Sequence, residues 1–478
     1  MRSSAECVSV SLIKHLWARR APKVELIAPP HQGPHGYGNP SMYRMISAEN
    51  SVFSGKTRAY LRFKQAQGDL GPGFEDILVT PEVIAGLLIP RSGSPSLPQL
   101  ETPEGDWIQD SSAIIDEIER RHRRISVIPE AKTRPRQRLA AYLIELLADE
   151  WLIVPACWER WHFTVEGNAP SHRAWNEHQW GAIFGAGGDG PTRRAAGARF
   201  FEDAFGISET KVNPRGPFAG LVQLGCTDAT RDAWLESLHS LLQALEIHFG
   251  QHDYLLGGRP SLADYGLLGP LYAHFYRDPV PGFALRCFFP LVCEWVERTN
   301  AEGALSARCY GQKLYSLDSE GRLVGRVATS DEGEWLPDDQ VPQTLEPVLR
   351  VFFDEMWPFL RASTKAMTRY VESDEHQVGD ELPRKTFTAT PGFEELQTGD
   401  GALTVPFEIG GISERRMVVP YQIWMLDRIE CAMVNTDTDV LSDWLERFES
   451  GGEILELGSR LEGCRVRKDG GRLFSREP

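Results

Sequence analysis

The chain has 478 residues and a formal net charge of -16, with 41% hydrophobic and 25% charged residues. That length exceeds one compact core, so two or three domains are expected. The acidic balance speaks against a general nucleic-acid surface, which needs a basic stripe to neutralise phosphates. No stretch approaches the roughly 18 uninterrupted apolar residues of a membrane-spanning helix. The eight cysteines are scattered without a CxxC pair, so free thiols are expected, with no zinc site and no other metal.

The first residues, MRSSAECVSVSLIKHLWARR, are poor in acids and carry Arg2, Lys14, Arg19 and Arg20. A transit peptide has this look. Residues 1–40, ending in a Pro/Gly/His-rich stretch, are nonetheless read as a disordered leader. A cytoplasmic protein is expected, with organellar import left open. YRMISAE (43–49) fits a strand. SVFSGKTRAYLRFK (51–64) then spaces Phe53, Thr57, Tyr60 and Leu61 as an inward helical face, with Lys56, Arg58 and Arg62 outward. FEDILVT is a second strand, and another ends near Leu100. After a turn at PEGD, DWIQ leads to a helix facing the core with Ala113, Ile114 and Ile118. This order makes 41–125 a small α/β domain.

Residues 132–310 turn helical. A long amphipathic run from Gln137 to Trp161 is interrupted at Pro155. Residues 163–230 pattern poorly and read as an irregular insertion, with GAGGDGPTRRAAGA as a loop. Helices resume in RDAWLESLHSLLQALEIHFG, SLADYGLLGPLYAHFY and FFPLVCEWVERT. In the α+β extension, 320–478, a long helix is expected to bend at Pro358, and a hairpin to turn at Gly410-Gly411. The helices YQIWMLDRIECAMV and VLSDWLERFES close the chain.

Three short motifs stand out. Ser51 and Ser54 begin the first helix, Leu97-Pro98-Gln99-Leu100 enters a strand, and Asp110-Ser111-Ser112-Ala113-Ile114 starts a helix. Each has an ordinary structural explanation: a cap, a turn proline that can be cis, and another cap. A helix N-terminus can also bind an anion through free amides and its dipole. In order and spacing, the three motifs resemble the thioredoxin-like N-terminal domain of glutathione S-transferases. LGGRPSLADYGLLGPL resembles the start of a helix in their C-terminal domain, with Ser261 and Asp264 as an acidic capping box. Pro420 to Arg428 resembles a tail signature of a bacterial-type branch, with distant similarity to the metaxin and failed-axon-connections group.

The resemblance implies a thioredoxin-like domain followed by an all-helical domain. It implies glutathione as co-substrate, a small hydrophobic electrophile as partner, and a homodimer. The backbone of Leu97, before Pro98, would pair with the cysteinyl part, and Asp110 with Ser111 would hold the γ-glutamyl end. Ser51, or Ser54 one turn on, would donate a hydrogen bond to the thiolate; a purely capping role for both stays open. Moving a thiol from a pKa of about 8.5 to about 6.5 requires about 2.7 kcal/mol. A helix terminus supplies about 0.3–1 kcal/mol, and a hydrogen bond to a charged group about 1.5–3. A donor is therefore needed. Val52 replaces the family's usual proline, and no cysteine occupies the site, which disfavours a thiol-transferase role.

Trp151, Trp158 and Trp161, with Tyr142, would line the electrophile pocket, though core packing explains such a stripe as well. Asp149, Glu150 and Arg160 read as a solvated or ion-paired edge. His239, His248 and His274 read as packing or surface. The rival expectation is a non-catalytic binding or assembly module on the same fold.

Overall fold

The structure, a computed structural model, describes residues 41–71, 73–165, 167–202, 221–300, 314–326, 334–373, 376–382, 403–434 and 436–476. The leader expected over 1–40 and part of the expected insertion lie outside the described residues.

The first domain begins with strand β1 (Tyr43–Ser47), helix α1 (Val52–Ala66) and strand β2 (Phe74–Leu78). A helical passage over 81–92 leads to β3 (Gln99–Glu101), β4 (Trp107–Gln109) and helix α2 (Ser111–Arg121). The sheet order is β2-β1-β3-β4, with β1 parallel to β2 and the other pairs antiparallel. This is a thioredoxin-like arrangement. In α1, Phe53, Thr57, Tyr60 and Leu61 face inward as expected, but the basic residues do not face out. Lys56 is fully buried, Arg58 nearly so, and Arg62 half-buried: Glu145 and Asp149 of the helical domain pair with Lys56, while Arg58 pairs with Glu49 and Asp76 of its own domain.

The helical domain opens with α3 (Pro135–Glu150) and α4 (Ile153–Thr164). The break falls at Trp151-Leu152 and not at Pro155, which sits in the first turn of α4 where a missing N–H costs nothing. The expected irregular stretch contains α5 (Arg173–Phe184) and α6 (Gly190–Phe200). Its glycines make a close helix crossing: a Cβ on Gly197 would lie 1.8 Å from the Glu177 carbonyl oxygen, and one on Gly181 1.9 Å from that of Arg193. Then follow α7 (Arg231–Phe249) and α8 (Leu262–Pro270), which continues as a π turn over Leu271–Tyr276. Helices α9 (Pro279–Phe288) and α10 (Pro290–Thr299) complete the domain. The capping box at the start of α8 is present, with Asp264 also accepting from Leu255 N and from Trp295 Nε1, both at 2.9 Å.

The remaining residues begin with hairpin β5 (Leu314–Leu317) and β6 (Leu323–Arg326). Helices α11 (Glu346–Arg350) and α12 (Trp357–Val371) are joined by a π turn over Val351–Met356. That widened turn immediately precedes Pro358 and gives its ring room. Hairpin β7 (Thr404–Ile409) and β8 (Ile412–Met417) turns at Gly410 and Gly411, both at positive φ as a type I′ turn requires. Helices α13 (Pro420–Met433), α14 (Thr438–Leu445) and α15 (Leu457–Leu461) follow, and a hairpin of β9 (Val466–Asp469) and β10 (Arg472–Ser475) comes last, where helices were expected to close the chain. Core residues from 43 to 473 form one continuous cluster, so the extension is packed into the body of the molecule.

Candidate functional site at the starts of two helices

The chain leaves β1 through a tight turn, closed by Ser51 N donating to Ala48 O at 3.1 Å, and α1 begins at once. Ser51 is its N-cap, and its Oγ accepts from Ser54 N at 3.3 Å. That bond uses a lone pair. The Ser51 hydroxyl proton has no acceptor among the described residues, and the side chain is half-buried. Ser54 is fully buried, and its Oγ accepts from Ala48 N at 3.4 Å. Of the two serines, only Ser51 can reach a ligand. Val52, in the place of the expected proline, packs on α8: a Cβ on Gly269 would lie 3.0 Å from its Cγ1.

Leu97-Pro98 is a cis peptide, and Leu97 is half-buried. Continuing the register Ile46–Gln99 by two residues sets Leu97 opposite Ala48, beside the turn that delivers Ser51. The Leu97 main chain has no hydrogen-bond partner among the described residues, so its amide and carbonyl offer a short strand edge.

Asp110 caps α2 at a φ of 96° and a ψ of 138°, outside the left-handed helical region and strained for a residue with a Cβ. Its Oδ1 accepts from Ser112 N at 3.0 Å and Ala113 N at 3.3 Å. Its Oδ2 accepts from the Tyr421 hydroxyl of α13 at 2.7 Å. Lys468 of β9 donates to Gln109 O at 2.7 Å and to Gly470 O at 2.8 Å, beside Asp110. Burial pushes the Lys468 ammonium below its usual range, a shift that the Asp110 charge opposes. Burial, reinforced by that same carboxylate, pushes the Tyr421 phenol well up. Ser111 is only 1% exposed, and its hydroxyl has no partner among the described residues.

The three tryptophans each meet different neighbours. Trp151, wholly buried at the helix break, packs on Trp234, Phe359 and Phe407 and donates to Glu355 Oε2 at 3.0 Å. Trp161 packs on Trp180 and Phe201. Trp158 stacks on His162 and is half-buried. The seven-residue spacing of Trp151 and Trp158 does not put them on one helical face, because the helix breaks between Glu150 and Ile153. Of the three, only Trp158 is partly exposed, with the Arg231 guanidinium 5.9 Å from its ring centroid.

Charged groups missed by sequence reasoning surround the start of α1. Glu49 accepts from Tyr272 and, at 2.8 Å, from Arg277 Nη1, and it pairs with Arg58 at 3.0 Å. Burial works against its charge, but Arg58, Tyr272 and Arg277 outweigh it and hold the carboxyl below its usual range. Arg160 donates to Asp278 Oδ2 and to Asn50 O, both at 2.7 Å. Burial and the Asp278 charge push Glu159 up to about 7. These contacts tie the helical domain to the residues immediately before Ser51.

Beneath the site lies a buried ion network. Lys56 Nζ contacts Glu145 Oε1 and Asp149 Oδ2 of α3, both at 2.7 Å, and Ser112 Oγ of α2 at 3.0 Å. Arg428 of α13 reaches Glu145 Oε2 at 2.7 Å and holds Asp116 in a two-pronged contact at 2.8 and 2.9 Å. Burial alone would raise the Glu145 carboxyl; Arg428 and Lys56 overcome it and hold it at about 2. The residues expected at a solvated or ion-paired edge are interior: Asp149 and Arg160 are ion-paired and buried, and Glu150, also buried, accepts from Gln422 Nε2 at 3.2 Å. Among the described residues no group of three or more His, Cys, Asp or Glu could hold a metal ion, and no helix is long and apolar enough to cross a membrane. A separate cleft of about 480 Å³, lined by Arg136, His252, Asp339, Trp444 and Arg447 among others, contains none of the residues of this site.

Residues 220–302 match the family described as "Glutathione S-transferase, C-terminal domain". No curated protein matches the chain. Solved structures with a likeness include a glutathione S-transferase from Rhodospirillum rubrum, at 14% identity, covering 56% of this chain and 90% of that one with a TM-score of 0.34. Another, from Methylobacterium radiotolerans in complex with glutathione sulfonate, gives 20%, 55%, 93% and 0.31 in the same order. A β-etherase from a Sphingobium strain gives 17%, 54%, 95% and 0.35. With the family match in its helical domain, and a thioredoxin-like sheet of its own ahead of it, the chain is glutathione S-transferase-like.

Proposed function

We propose that the chain is a glutathione transferase-type enzyme that ionises a cysteinyl thiol at the N-terminus of α1 and directs it at a small apolar electrophile. The observation that carries this is Ser51. Its oxygen caps the helix while its proton is unspent, so it can donate to a thiolate without giving up the cap. The free main chain of Leu97, set opposite Ala48 by the sheet register, would pair with the cysteinyl backbone. The thiol proton goes to solvent, a sulfur–carbon bond forms, and the leaving group departs with its electron pair. The helix terminus and one charge-assisted hydrogen bond together supply about 2–4 kcal/mol, the size of the shift required. Trp158, partly exposed where Trp151 and Trp161 are buried, is the member of the expected aromatic trio that could meet the electrophile.

The test is an absorbance titration of thiolate in the presence of the protein. A bound thiol should titrate about 1–2 units below the free one, near 8.5. Absence of binding, or an unshifted titration, rejects the enzyme. A non-catalytic binding or assembly module is the second reading, favoured by the cover that Tyr421 and Lys468 place over Asp110.

A further inference from the structure

We infer that the extension makes this a site for a cysteinyl thiol without a γ-glutamyl group, because Tyr421 and Lys468 already occupy the γ-glutamyl end. This rests on the thiol-binding reading above and narrows its substrate class.

The γ-glutamyl end of glutathione carries an ammonium and a carboxylate, which need an acidic acceptor and a set of donors. The acceptor would be Asp110, but both of its oxygens are engaged, one by the α2 amides and one by the Tyr421 hydroxyl. The chain's own ammonium, that of Lys468, stands beside the same carboxylate. A ligand ammonium arriving there would meet a like charge in a desolvated setting. The donor would be Ser111, whose hydroxyl is unpartnered yet sealed at 1% exposure.

The seal is fastened independently of these two side chains. The turn between β9 and β10 lies on the 92–94 segment, with Gly471 N donating to Ser92 O at 2.9 Å. A Cβ on Gly471 would lie 2.2 Å from Ser94 Cβ, and one on Gly470 2.8 Å from Ser92 O. Arg428, seven residues after Tyr421 on the same helix, is clamped to Asp116 of α2. The other half of the site is open: the Ser51 proton and the Leu97 main chain are unspent. A cysteinyl group therefore fits, and what is attached to its nitrogen must be small.

The test compares glutathione with N-acetylcysteinylglycine, which keeps the amide and the thiol and lacks the glutamyl group, by calorimetric titration of the full chain. The acetyl peptide is expected to bind more tightly than glutathione, or less tightly by under about tenfold. Glutathione binding tighter by about tenfold or more overturns the inference and leaves the thiol-binding reading standing. Binding of neither thiol overturns both. The double variant Tyr421→Phe/Lys468→Ala, and separately Gly471→Val, should raise glutathione affinity relative to the acetyl peptide by about tenfold. If both fold with native-like circular dichroism and neither changes the ratio, the extension is not what shapes the ligand, and the inference falls.

Discussion

Two serines three residues apart in one helical turn have opposite fates, and the difference lies in burial: both oxygens accept a backbone N–H, but only Ser51 is partly exposed. Ser51, at the cap, keeps a proton to give; Ser54, inside, has its oxygen bonded to the β1–α1 turn. Ser51→Ala should therefore raise the pKa of a bound thiol by about 1–2 units, as loss of a charge-assisted hydrogen bond would. Ser51→Gly should restore part of the stability but none of the shift, since glycine is an acceptable cap without a donor. Thiolate absorbance and thermal melting separate the two effects. Lys56 is the opposite case, a residue whose importance is structural. Lys56→Met leaves Asp149 and Glu145 buried with one cation fewer, and should cost about 3–5 kcal/mol in urea unfolding. The motif residues Ser51, Pro98 and Asp110 were legible because caps and turn prolines have local signatures. Lys56 was not, because whether a lysine faces water depends on what packs over it, and those partners lie 89 and 93 residues away.

At the scale of elements, strands β1 to β4, the helix beginning at Leu262 and the hairpin at Gly410-Gly411 follow from periodicity and turn chemistry alone. The α5–α6 pair does not. Glycine in a sequence signals either a loop or a close backbone approach, and only the partner helix decides. Gly197→Val should thus destabilise markedly, by more than the roughly 1 kcal/mol typical of single substitutions, because its Cβ has the Glu177 carbonyl in its way. Gly190→Ala, where a Cβ meets nothing within 4 Å, is the matched control and should be neutral or better in the same melting experiment. The closing β9–β10 hairpin was also missed: its four-residue strands are too short to show an alternating pattern.

For the molecule as a whole, the interior charge distribution predicts an acid-sensitive fold. His248 is buried between Thr344 Oγ1 and the Tyr254 carbonyl, and burial, aided by His252, lowers its pKa to about 3. Its unfolded value is about 6.5, so the neutral form is favoured by folding. That contribution is complete above about 6.5 and is lost as pH falls toward about 3, at up to about 1.4 kcal/mol per pH unit. Glu145, held at about 2, adds a second loss that begins below its unfolded pKa of about 4.3. Glu159, raised to about 7, has the reverse sign: its share of stability is present below about 4.3 and is lost between there and about 7. Urea midpoints from pH 4 to 8 should fall on the acid side for native chain, and His248→Gln should flatten the upper part of that fall. None of this was visible in the sequence, where His248 is one more helical histidine, and the role of residues beyond 320 was a blank for the same reason: their partners are long-range.

The Lys56 network draws its five charged groups, Lys56, Asp116, Glu145, Asp149 and Arg428, from the thioredoxin-like domain, the helical domain and the extension. A chain assembled from separable modules would place its most expensive electrostatics inside each module. Here the expense is shared across all three, so a cut at either boundary leaves a buried charge without its partner. The three parts are therefore expected to unfold together, in one cooperative transition.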